Sequence, residues 1–231
     1  MDESSASPPA PPATSLTPAQ ILRPALRLWL LVMLIYGAGD LVTMLLTRNF
    51  MADSQQYAMT YALPMIIAQI VVLAITLKAV WPEPDARCVF RKPPRRAVEI
   101  CVVTGIVSWL AFKMWYEWLT FTSDAVSLSV PIEDWELVWI IIQFCVIAPL
   151  WEEWAFRGLM LHRFRKVMGD PMAVATQAMM FSALHMDSRE LISHFLFGVV
   201  AGVLRIQARA LWPCMLVHAL WNGAWVMHMA A

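Results

Sequence analysis

Apolar residues run together along this chain in long stretches at about 25–47, 58–81, 97–121, 136–160, 171–187, 190–207 and 211–229, parted by short polar connections. Each stretch is compatible with the ~20 residues that a helix needs to cross a hydrocarbon core. The pattern predicts an all-α protein, a polytopic transmembrane helical bundle of about seven spans. The fifth and sixth stretches are short and parted only by Asp187-Ser-Arg-Glu190, which leaves six or eight spans open. Residues 1–20 are rich in Pro, Ala, Ser and Thr and lack both a basic leader and an apolar segment, so they read as a disordered cytoplasmic tail rather than a signal peptide. The chain then divides into three helices over 21–134 and a C-terminal group over 135–231 that holds most of the intramembrane polar residues.

Composition agrees with the pattern. The chain is 60% hydrophobic and 15% charged, and its mean hydropathy is +0.60, far from a soluble domain. A formal net charge of zero gives no basic field for nucleic acid. Cys88, Cys101, Cys145 and Cys214 are scattered singly, which indicates neither a disulfide framework nor a thiolate zinc site.

The distribution of charge carries more. Arg87, Arg91, Lys92, Arg95 and Arg96 crowd the second connection, Arg163, Arg165 and Lys166 the fourth, and Arg205 and Arg209 the sixth. The alternate connections hold Asp53, Asp124, Glu133, Asp134, Asp187 and Glu190, with Arg48 and Arg189 as their basic members. Seven spans therefore place all three basic clusters on one side, with the N-terminus in the cytoplasm. The short chain points to a bacterial cytoplasmic membrane. Trp29, Trp81, Trp135, Trp139 and Trp212 fall near segment ends, where indole rings anchor at the interface.

Against this background the stretch Leu150-Trp-Glu-Glu-Trp-Ala-Phe-Arg-Gly-Leu159 stands out. An ionisable group inside a membrane costs roughly 2.5–3.5 kcal/mol on insertion scales, so it needs a partner or a task. Glu153 and Arg157 are four apart and share a helix face, which makes them the ion pair. Glu152 lies about 100° round and remains the free carboxylate. Two further polar pairs follow at the same spacing, Phe181 with His185 and His218 with Asn222. At a rise of 1.5 Å per residue, Glu152 lies ~20 Å from Arg165, His185 ~21 Å from Pro171, His218 ~14 Å and Asn222 ~20 Å from Arg209. One cluster at a common depth is therefore geometrically consistent. A desolvated carboxylate can act as a base toward bound water, an imidazole can share that water and protonate a leaving amine, and an imidazole with a carboxamide can stabilise an oxyanion. That set suits amide hydrolysis without a covalent nucleophile.

The order E-E-x-x-x-R, F-x-x-x-H, H-x-x-x-N on successive helices resembles the CPBP family of intramembrane proteases, which includes type II CAAX prenyl endopeptidases and bacteriocin-processing or self-immunity proteins. The likeness covers about 135–225 and extends to Phe156-Arg157-Gly158, to Phe197-Gly198 through Gly202 and to Leu211-Trp212-Pro213. It implies that Glu152 activates water together with His185, that His218 and Asn222 form the oxyanion hole, and that Glu153, Arg157 and Phe181 support them. It implies a protein or peptide substrate, lipidated or membrane-anchored, processed near its C-terminus or a membrane-proximal stretch. The glutamate-type mechanism favoured for the prenyl endopeptidases needs no cofactor; a divalent ion, if bound, would fall to Glu152, His185 and His218, although the chain has no H-E-x-x-H.

Other readings fit some of these residues. A proton-coupled transporter or channel also buries Glu, His and Arg, but such proteins usually show related halves, and here the polar residues gather in the C-terminal half. A protease-fold scaffold that binds without cutting is the other alternative. Lys113 and Glu117 are expected to neutralise each other, Asp40 to line a path or make a contact in the bundle, His162 to meet lipid headgroups, and His194 and His228 to lie outside the site.

Overall fold

The computed structural model describes residues 16–47, 54–122, 134–186 and 190–229, and their regular structure is all helical. Among the described residues, seven helical rods coincide with the seven apolar stretches: α1 Pro18–Thr47, α2 Ser54–Val80, α3 Arg95–Thr122, α4 over 134–164, α5 Asp170–Leu184, α6 Leu191–Ala208 and α7 Trp212–Met229. The spans Pro18–Leu45, Leu137–Phe164 and Leu191–Ala208 are long and apolar enough to cross a membrane, and Pro64–Val80 is a shorter apolar helix. Helix α1 starts at Pro18, so the last three residues expected in the tail are already helical. The loop residues Arg48, Asp53, Asp124, Glu133, Asp187 and Arg189 and the tail to residue 15 lie outside the described residues, as do the side chains of Glu117, Asp134, Trp135 and His228.

Helix α4 is the axis of the bundle and packs against α1, α2, α5, α6 and α7, while α3 lies against α6 and α7. Its middle is enclosed by the other helices, and Trp151, Ala155, Phe156, Leu159 and Met160 are wholly buried beside the buried Glu152, Glu153 and Arg157. Two stretches of α4, Ile142–Ile147 and Glu153–Met160, widen into π turns, in which each N–H bonds five residues back, and such turns recur at functional sites. In the first, Ala148 N–H bonds Gln143 O.

Helices α5 and α6 meet through small residues. A Cβ at Gly198 would lie 2.9 Å from Ala178 Cα, and one at Gly202 2.8 Å from Gln177 Nε2. This G-x-x-x-G spacing lets two backbones approach where no hydrophobic drive separates helix from lipid. Gln177 Nε2 uses the proximity to donate to Gly198 O at 2.7 Å, and Ser182 Oγ donates to Leu191 O at 2.5 Å.

All three basic connections gather at one end of the bundle, as their charges require. Glu83, between α2 and α3, is clasped by Arg163, by His162 Nε2 at 3.3 Å and by Lys166 Nζ at 3.6 Å. Arg205 Nη2 donates to Asp85 O at 2.7 Å, and Leu211 N–H to Cys88 O at 3.1 Å. His162 thus finds a carboxylate rather than a lipid headgroup. Trp29 also departs from expectation: its indole N–H donates to Met180 O at 3.0 Å and ties α1 to α5 within the bundle.

Candidate functional site

The pair at the centre of α4 forms as its spacing predicts. Arg157 Nη1 donates to Glu153 Oε1 at 2.9 Å, with both side chains wholly buried. Two aromatic faces enclose the cation, the Phe181 ring 4.3 Å and the Phe197 ring 5.4 Å from the guanidinium carbon. Such contacts help hold a charge that water does not reach.

His218 arrives from α7 and extends the pair. Its Nδ1 lies 2.7 Å from Glu153 Oε1, and its Nε2 lies 3.7 Å from Glu152 Oε2. A carboxylate only accepts, so Nδ1 carries the proton toward Glu153 and the imidazole is held in one orientation. Glu152 is 7% exposed, and among the described residues its Oε2 has no hydrogen-bond partner. The expectation that Glu153 rather than Glu152 takes the arginine matches the geometry. The imidazole gripped between the two carboxylates was not foreseen.

Helix α5 ends sooner than its apolar pattern indicates, and this sets His185. The last helical residue is Leu184, and Met186 turns the chain with φ of 52°. The final carbonyls of a helix lack intrahelical donors; His185 Nδ1 takes up one of them, Phe181 O, at 3.0 Å. Phe181 is the hub between the imidazoles, its ring 4.9 Å from that of His185 and 5.8 Å from that of His218.

His194 was expected outside this cluster, and the structure corrects that. Its ring lies 3.7 Å from the His185 ring, tilted by 34°, while its Nδ1 meets Glu190 O at 3.0 Å. Counting residues from segment ends placed His194 at the outer boundary. The early end of α5 brings the two histidines to one level, a feature the apolar pattern does not encode.

Asn222 is held by α4 itself. Its Nδ2 donates to Phe144 O at 2.7 Å. That carbonyl is available for a physical reason: the N–H of Ala148, four residues on, bonds Gln143 O, and residue 149, five on, is a proline with no N–H to give. The carboxamide satisfies the orphan, and its second N–H is not used by that bond. Among the described residues no three His, Cys, Asp or Glu side chains are grouped at metal-ligand spacing.

Residues 134–224 match the model of the family described as Type II CAAX prenyl endopeptidase Rce1-like. The matched segment runs from the start of α4 into α7 and contains Glu152, Glu153, Arg157, Phe181, His185, His218 and Asn222. No curated protein and no solved structure matches the chain.

Proposed function

With residues 134–224 matching the Rce1-like type II CAAX prenyl endopeptidases, we propose that this chain is an intramembrane endopeptidase in which Glu152 activates the attacking water. The observation that carries the reading is the 3.7 Å separation between Glu152 Oε2 and His218 Nε2 inside a buried cluster. That gap is too long for a direct hydrogen bond and short enough for a water to bridge. Glu152 takes a proton from the water as its oxygen attacks the scissile carbonyl carbon. His185 shares that water, and the proton passes to the amine as the C–N bond breaks. His218 Nε2–H and the second N–H of Asn222 stabilise the tetrahedral oxyanion, each donor contributing about 3 kcal/mol by comparison with other oxyanion holes. Glu153 acts through His218 by holding the ring at Nδ1, and Arg157 acts by holding Glu153 in place. The substrate is a protein with a membrane-proximal or lipidated C-terminal segment, and the N-terminus of the enzyme faces the cytoplasm.

The test uses the purified chain in mild detergent with a farnesylated C-terminal peptide and its unprenylated twin, products being read by mass spectrometry. Cleavage is expected from the wild type, unchanged by EDTA and by serine and cysteine reagents. Glu152→Gln should lower it at least 10²–10⁴-fold, the usual worth of a general base. Undiminished cleavage by Glu152→Gln would remove the carboxylate from the mechanism, and abolition by EDTA would replace it with metal-assisted chemistry.

A further inference from the structure

We propose that the groove between the start of α3 and the end of α6 binds the phosphate of an anionic phospholipid, a site separate from the buried cluster and independent of proteolysis. The groove encloses about 680 Å³, and Arg91, Lys92, Arg95 and Arg209 line it. Glu99 pairs with Arg95 at 3.3 Å, whereas Arg91, Lys92 and Arg209 have no carboxylate partner among the described residues. Three unneutralised cations around one concavity are an anion site by charge.

Its place on the molecule identifies the anion as a lipid headgroup. One face of α3 exposes Val98, Val102, Ile106 and Leu110, beginning one turn beyond Arg95, and α6 exposes Leu196, Val200 and Val203, ending one turn before Gln207 of the groove. These two helices pack together. Their apolar faces would lie along acyl chains, and the groove opens where both faces run out. Phe90, 91% exposed beside Arg91, marks the same level as an interfacial side chain.

The backbone supplies a second argument. Arg209 caps α6 in the left-handed region, with φ of 54°. Glycine is the usual residue at that position because it adopts this conformation without steric cost. An arginine there carries a backbone penalty, and its side chain lines the groove. The segment opposite is pinned in register by Leu211 N–H to Cys88 O at 3.1 Å and Trp212 N–H to Val89 O at 3.4 Å, so both walls are fixed before a lipid arrives.

Native mass spectrometry of the full chain, released from detergent with dioleoyl phosphatidylglycerol or dioleoyl phosphatidylcholine, measures the preference for the anionic head on identical acyl chains. The wild type should retain the glycerol lipid at least tenfold better. Arg209→Gly keeps the left-handed turn, so its melting temperature should hold or rise while the preference falls about fivefold, the worth of one surface cation. Arg209→Lys should keep most of the preference, and Arg91→Gln with Lys92→Gln and Arg209→Gly should abolish it. Unchanged preference in Arg209→Gly overturns the proposal, as does displacement of the lipid by equimolar inorganic phosphate, which would make this a free-anion site. Tighter binding of an acidic peptide than of the glycerol lipid, lost in Arg209→Gly, would assign the groove to a protein segment instead.

Discussion

Glu153 Oε1 accepts from both Arg157 and His218, so one oxygen atom joins the structural pair to the proposed chemistry. Removing one member of a buried ion pair leaves an uncompensated charge and costs about 3–5 kcal/mol, whereas replacing both by apolar residues is often neutral. Arg157→Met should therefore destabilise the protein strongly, and Glu153→Leu with Arg157→Met should recover much of the loss in a thermal melt. Activity should not return in the double variant, because His218 Nδ1 then has no acceptor to hold its ring. Stability and activity returning together would make Glu153 a packing residue alone. The pairing of Glu153 with Arg157 was legible in the sequence because four-residue spacing is local. The grip of Glu153 on His218 joins residues 65 positions apart and depends on how α7 rotates about its axis, which a spacing rule does not specify. His194 was illegible for the same reason: its proximity to His185 follows from where a helix stops.

At the level of elements, the positions of seven helices were readable from apolar length, while their interruptions were not. Helix α4 carries a proline at 149 next to a π turn, and Asn222 of α7 satisfies the carbonyl thus released. Loss of this bond leaves a half-buried acceptor unsatisfied, so Asn222→Ala should cost about 1 kcal/mol. In a Pro149→Ala background a new N–H can serve the same stretch of carbonyls, and the cost of Asn222→Ala should fall by about 1 kcal/mol. Strict additivity in that double-mutant cycle would deny the coupling. The end of α5 offers a converse case. Met186 adopts φ of 52°, so Met186→Gly should raise stability by about 1 kcal/mol in denaturant or thermal unfolding, leaving the His185 contact to Phe181 O in place. Between α5 and α6, Gly198→Val has no room against Ala178 and should cost about 1–3 kcal/mol or more through forced separation.

Over the whole molecule, three connections distant in sequence meet at one end: Glu83 gathers Arg163, His162 and Lys166, while Asp85 O accepts from Arg205 and Cys88 O from Leu211 N–H. Charge distribution along the chain anticipated this shared side, because basic connections alternate with acidic ones. It did not anticipate that an acidic residue would bind the clusters together. These contacts hold the end of α4 and the α2–α3 connection together. The proposed cleavage of a peptide bond through Glu152 is tested by comparing the membrane proteomes of cells producing wild type or Glu152→Gln at equal levels. At least one membrane protein should accumulate with an uncleaved C-terminal or membrane-proximal segment in the variant cells alone. Identical inventories of mature and precursor forms would rule out the proposed cleavage.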